Sequence, residues 1–203
     1  MNSGATTERV YDALKRQILT RTFRPGDRLE PAALAENLAS SVTPVRDALH
    51  LLTGQGLVTS RTGGGFHMPS LDEPSLIDLY AWSSELLLVV VRAWPAGLAG
   101  EGGGSGLSNH GSTAEEIAAL FSDIAGRSTN AEHGMAVRSL NARLHAVRLA
   151  EPHVIEGIEE EVAAMREALK AVDGTTLRRL VGAYHRRRQR HAAEIVRALY
   201  RGS

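Results

Sequence analysis

The feature that most constrains this chain is an ordered series of helix, turn and strand signals in its first 70 residues. Val10, Leu14 and Ile18 recur every four residues with Ala13 beside them, which predicts an amphipathic helix with one apolar stripe. Arg24-Pro25-Gly26-Asp27 then breaks the chain. A short second helix follows, with Pro31 near its start and Leu34, Ala35 and Leu38 on its inner face. After the tight connection Ala39-Ser40-Ser41-Val42, a third helix is expected to start at Thr43-Pro44. Thr43 would cap it and Pro44 would take the first helical position. Val45, Ala48, Leu49 and Leu52 form its buried face, and Gly54 and Gly56 end it. Leu57-Val58-Thr59-Ser60-Arg61 reads as a strand, Gly63-Gly64-Gly65 as a turn and Phe66-His67-Met68 as a returning strand. Helices followed by a glycine-tipped hairpin make a winged helix-turn-helix, assigned here to residues 1–70.

The remaining residues, 71–203, read as an all-helical bundle, so the chain as a whole is mainly α. Pro69 to Pro74 looks like a linker, and Ser75 to Trp94 like one helix ended by Pro95. Residues 97–112 are rich in Gly and Ser and predict a loop. Helical stretches are expected over 113–126, 131–150, 152–172 and 174–201. Leu86 to Val91 is apolar nearly all round its helix, which predicts burial either in the bundle core or in a dimer interface, with Trp82 and Trp94 on one of those surfaces. That run is too short to span a bilayer, and Arg92 follows it. Met1 to Thr7 lacks the apolar stretch of a signal peptide, and the chain has no cysteine. The expectation is a cytoplasmic protein with no membrane partner.

Charge alone says little about partners. The formal net charge is zero, and residues 1–70 hold eight Lys/Arg against six Asp/Glu. Aromatic residues make up only 4% of the chain, which argues against binding single strands by base stacking. Position is more informative. Arg46 and His50 stand four residues apart on the third helix and share a face, away from Val45, Leu49 and Leu52. With the helix starting at Thr43, Arg46 lies in the first turn, where the helix dipole disfavours a cation. A phosphate or the O6/N7 edge of guanine would answer that charge. Ser41, Thr43 and the free N–H groups of the same helix end can hold a phosphate. The bland alternative is a solvated Arg46 paired with Asp47 or Glu36. Arg61, Gly64 and Gly65 would bring the wing's backbone close to the minor groove, or simply permit the turn.

Pro25-Gly26-Asp27-Arg28-Leu29, Leu34-Ala35-Glu36-Asn37-Leu38, Thr43-Pro44-Val45-Arg46-Asp47-Ala48-Leu49 and Gly56-Leu57-Val58 together resemble the GntR family of bacterial regulators. The helical remainder resembles the ligand-binding domain of its FadR-type branch. The resemblance implies a homodimer on a partly palindromic double-stranded DNA operator, usually a repressor released by a small-molecule effector. It assigns DNA contacts to Ser41, Val42, Thr43, Pro44, Arg46, His50, Arg61, Gly64 and Gly65. Val42 and Ala32 depart from the pattern, because both positions commonly carry arginine in that family.

The second domain offers Asn141 and His145, four residues apart on one helix face, and His185 further on. The resemblance maps a divalent-metal site of one Asp and three His onto Asn141, His145 and His185, with Val162 at the fourth position. Asn lacks the charge of Asp and Val cannot coordinate, so a metal-free cavity is the preferred reading. There Asn141, His145 and His185 would hydrogen-bond an effector, an organic acid among the candidates; His153 or His191 could substitute for the missing ligand, though nothing in the spacing demands it. The last helix carries Arg178, Arg179, Arg186, Arg187, Arg188, Arg190, Arg197 and Arg201, while 156–167 carries Glu156, Glu159, Glu160, Glu161 and Glu167. Two complementary solvated faces are expected, with recognition of an acidic effector or of flanking DNA as the alternatives. Two other functions stand as alternatives: an effector-independent architectural DNA-binding protein, and a small enzyme using His145 and His185 as acid and base. No nucleophile elbow, phosphate loop or suggestive carboxylate pair supports the enzyme.

Overall fold

A computed structural model describes residues 3–61, 64–95 and 111–201. The chain divides into two compact units after Leu71. Gly63 and the predicted loop up to residue 110 lie outside the described residues.

The first unit is a three-helix core with a small sheet. Helix α1 (Ser3–Leu19) buries Val10, Leu14 and Ile18 against α3 (Val42–Gly54), whose Val45, Ala48, Leu49 and Leu52 are fully enclosed. Between them α2 (Pro31–Asn37) starts with Pro31 in its first turn and buries Leu34 and Ala35. The strands are β1 (Arg28–Leu29), β2 (Thr59–Ser60) and β3 (Phe66–His67), ordered β1-β3-β2 with both pairs antiparallel.

β1 is not foreseen in the sequence, where its residues follow a chain break. Gly26, at φ +88°, turns the backbone so that its N–H donates to the Met68 carbonyl while Met68 N–H donates to the Asp27 carbonyl. Asp27 closes the turn by accepting from Arg24 N–H at 2.8 Å. Two further corrections concern α3. It begins at Val42, so Thr43 is already helical and the cap is Ser41, which makes no side-chain capping bond. Pro44 takes the third helical position, where its missing N–H still leaves no helix bond unmade.

In the second unit α4 (Glu73–Arg92) packs on α5 (Thr113–Gly126), α6 (Ala131–Ala150), α8 (Gly174–Arg190) and α9 (Ala192–Arg201), and α7 (Ile158–Lys170) packs on α5 and α8. Helix α4 starts earlier than the sequence suggests, because Asp72 accepts from Ser75 N–H and caps it, drawing Glu73 and Pro74 out of the linker. By length and composition α4 could cross a membrane, but Leu76, Tyr80, Leu87 and Val90 are enclosed in the bundle. Ser112 and Glu115 form a reciprocal capping box that starts α5.

Two expected helices prove to be composite. The stretch 152–172 opens as a single 3-10 turn, Glu151–His153, and α7 begins only after Gly157 at φ +67°. The stretch 174–201 breaks at His191 into α8 and α9, which lets α9 turn Ala192, Ile195 and Leu199 onto α4 and α6.

Candidate nucleic-acid interface and effector site

Because the α3 stripe Val45-Ala48-Leu49-Leu52 faces the core, its opposite face holds Arg46, Asp47 and His50, all exposed. Among the described residues Arg46 makes no ion pair, with Asp47 and Glu36 included, and no side-chain hydrogen bond. Its cationic head is therefore free. Ser41, Val42 and Thr43 are exposed at the helix start, and Val42 is 38% accessible. The early start places Arg46 at the opening of the second turn, which weakens the dipole argument because that effect fades beyond the first turn. Pro44 is buried, so it shapes the helix start and does not face a nucleic acid.

An aromatic contact joins the wing to α3. The His50 ring meets Phe66 of β3 edge-on, 4.9 Å between centroids. His50 thus braces the wing while remaining exposed. Arg61 and Gly64 are exposed, and Gly64 N–H donates to the Arg61 carbonyl at 2.9 Å. Gly64 and Gly65 both have φ near +90°, at 88° and 98°, a conformation that favours glycine. Arg28, which no local sequence signal marks as part of the wing, pairs with Glu30 at 2.6 Å and lies beside Gly65.

The second unit holds a buried polar cluster built by α4, α5, α6 and α8. Asn141 donates through Nδ2 to the Ala118 carbonyl (2.9 Å) and to Ser122 Oγ (3.2 Å) on α5. Its Oδ1 accepts from Arg148 Nη1 at 2.9 Å, two helical turns along α6. His185 is 1% exposed, and its Nδ1 donates to the Val181 carbonyl at 2.7 Å. Burial, reinforced by Arg148 and Arg188, pushes its pKa down to about 3 against the help of the Val181 bond. The ring is neutral at pH 7, so Nε2 is the acceptor for Ser83 Oγ–H at 3.0 Å. His145 is half-buried, and its pKa is lowered by burial and by Arg148, with Glu115 opposing. Phe121 joins the parts: its ring lies 5.0 Å from the Arg148 guanidinium and 5.8 Å from the His185 ring.

These groups do not fit a divalent metal. Asn141 Oδ1 is committed to a cation, both His185 nitrogens are engaged, and Val162 is a buried apolar residue. Among the described residues no three His, Cys, Asp or Glu side chains are grouped to hold a metal, with His153 and His191 included.

The expected solvated charge faces are partly an interior network instead. Arg188 and Glu151 are fully enclosed and paired at 2.8 Å, and Tyr80 donates to the other Glu151 oxygen at 2.7 Å. Glu161 bridges Arg187 and Arg188 at 3.0 and 2.8 Å. Burial opposes the Arg188 charge, yet Tyr184, Glu151 and Glu161 outweigh it and raise its pKa. Arg148, Glu151, Ser83 and Tyr184 belong to this interior although they are not among the residues expected from the sequence. Only Arg148 carried a signal, lying on the Asn141 face of α6.

Residues 6–68 match the family described as bacterial regulatory proteins, gntR family. The Nta operon transcriptional regulator of Aminobacter aminovorans is 40% identical over 70 residues, 34% of this chain and 33% of that protein. The HTH-type transcriptional repressor GlaR of Escherichia coli (strain K12) is 33% identical over 70 residues, covering 34% and 32%. The chain thus spans about a third of the length of these curated relatives. A structure from Rhodococcus sp. RHA1 described as a transcriptional regulator GntR aligns with TM-score 0.74 at 18% identity, covering 94% of this chain and 98% of that one. Escherichia coli McbR/YncC aligns with TM-score 0.63 at 19% identity, covering 93% and 97%. These alignments share the fold: a winged helix-turn-helix joined to a helical domain. The four motif blocks that carry the resemblance lie within the matched residues 6–68.

Proposed function

We propose that this protein is a homodimeric, cytoplasmic transcriptional regulator, a repressor of FadR type, whose operator affinity is set by a small molecule bound in the helical unit. The observation that carries the reading is Arg46: an exposed cation without an intramolecular partner among the described residues, on the outer face of α3. Helix α3 enters the major groove with its N-terminal end. Ser41, Thr43 and the uncapped backbone N–H groups hold phosphate there, and Arg46 reads phosphate or a guanine edge. The exposed wing residues Arg61 and Gly64 reach the adjacent backbone. One relative is named a repressor, which supports the sign of regulation. Trp82 and Val89, exposed seven residues apart on α4, supply an apolar stripe for a second copy.

Effector binding beside the Asn141–His145–His185 cluster, whose own hydrogen bonds brace the site, changes the packing of α6 and α8. Across a symmetric dimer this alters the spacing of the two recognition helices, and half-sites about one DNA turn apart no longer fit. The cluster's buried, committed hydrogen bonds support a metal-free site.

The test is fluorescence anisotropy with DNA from upstream of the protein's own gene, wild type against Arg46→Ala, over a salt series. The expected result is a palindromic footprint, a loss of roughly 1–3 kcal/mol in the variant, and a shallower salt dependence if Arg46 meets phosphate. Equal, weak binding of both proteins to every sequence would reject the reading.

A further inference from the structure

We infer that Arg148 is the anchor for a carboxylate ligand in the core of the helical unit. Arg148 is 1% exposed, yet no carboxylate pairs with it among the described residues. Its single described hydrogen bond goes from Nη1 to the neutral Asn141 amide. Nε and Nη2, the two donors on one edge of the guanidinium, have no hydrogen-bond partner among the described residues. A buried charge left in this state is strongly unfavourable, and the Phe121 ring face 5.0 Å away offsets only part of that.

The same region is short of acceptors in general. The Tyr184 hydroxyl and Arg188 Nη2 are also buried without partners. Tyr184 meets Phe121 edge-on at 5.5 Å, and the Arg188 guanidinium lies 3.3 Å from the centre of the Tyr184 ring. Ring contacts link the residues that carry these groups, Arg148 to Phe121 to Tyr184 to Arg188, and each of the three polar residues can donate. What they lack is an anion rich in acceptors. The Nε/Nη2 edge presents two parallel N–H bonds, which match the two oxygens of a planar carboxylate. Asn141 orients that edge by holding Nη1, and Ala118 and Ser122 in turn hold Asn141. The neutral His185 adds no competing charge. A guanidinium thus performs the anion-attracting task here, with no metal in the donor set.

This assignment rests on reading the helical unit as the effector-binding part of a regulator, and the test separates the two. Thermal unfolding of the full chain is followed by tryptophan fluorescence in a zwitterionic buffer at constant ionic strength. The probes are sodium acetate, propionate, butyrate and benzoate, each against its neutral amide, with sodium chloride and phosphate as controls. At least one carboxylate should raise the midpoint with concentration, while its amide, chloride and phosphate do not. Arg148→Met should unfold no earlier than wild type without ligand, because it removes an uncompensated charge, and should weaken carboxylate binding by about 100-fold or more. Arg148→Lys, which keeps the charge but loses the fork, should bind at an intermediate level. The inference is overturned if no carboxylate stabilises the protein, if the amides or inorganic anions do so equally, or if a folded Arg148 variant responds as wild type does. Arg148-dependent stabilisation that leaves operator affinity unchanged would uphold the carboxylate site and reject effector control of DNA binding.

Discussion

Acid should unfold the helical unit through His185. The ring is enclosed on every side, stacked on Phe121, edge-on to Tyr184, and close to Arg148 and Arg188. Its pKa falls from the ordinary 6.5 to about 3. Below pH 6.5 the unfolded chain takes up a proton that the folded chain refuses, so stability is lost as pH falls and the loss levels off near pH 3. Integrating this linkage from pH 7.5 to 5.0 gives a loss of about 2 kcal/mol, with a limiting slope of about 1.4 kcal/mol per pH unit. His145, also lowered, contributes in the same direction. Urea unfolding followed by tryptophan fluorescence isolates the right unit, because both tryptophans, Trp82 and Trp94, lie in it. His185→Gln removes the titration but keeps a polar side chain near Ser83 and Val181. Its intercept will be lower, and the diagnostic is the slope: wild type should lose about 2 kcal/mol more than the variant between pH 7.5 and 5.0. Parallel pH profiles would mean that His185 protonates freely in the folded state, and the buried, neutral ring described above would be wrong.

Glu151→Ala should cost the helical unit about 3–5 kcal/mol, since it leaves Arg188 with Glu161 alone and strips the Tyr80 hydroxyl of its acceptor. Urea unfolding at pH 7 reads this directly, and a loss under about 1 kcal/mol would show that water reaches the pair. Leu49→Ala opens a cavity in the fully enclosed heart of the winged unit and should cost about 2–5 kcal/mol, seen as a lower midpoint by circular dichroism. Gly26→Ala places a side chain at φ +88° and 3.4 Å from Ser70 Oγ, and should destabilise the same unit by about 1–2 kcal/mol. A neutral result would mean that the turn relaxes without losing the β1–β3 pairing.

Local physics was enough to read much of this chain from its sequence. The 3.6-residue stripes on α1 and α3 follow from apolar spacing, and the glycines at the wing tip follow from the positive φ that a tight turn demands. Exposure of Arg46 and His50 follows from the same periodicity, because a helix that buries Val45, Leu49 and Leu52 must turn those two outward. Other features escaped because their causes are distant in sequence. A two-residue strand such as β1 has no period of its own and exists only because β3 is there to pair with it. The break at His191 contains neither proline nor glycine, and is set by where α9 must turn to bury Ile195 and Leu199. Which of the many arginines is interior was equally invisible. Arg187 and Arg188 are neighbours in a basic run, yet only Arg188 is fully enclosed against Glu151, and Arg148 pairs with no carboxylate among the described residues. The amino-acid order by itself determined the apolar stripes of the helices, the wing tip and the outward face of α3, since each depends on neighbours within a turn or two of chain. The buried charges were decided only by the tertiary structure, because the balance of desolvation against pairing is settled by elements dozens of residues apart meeting in space.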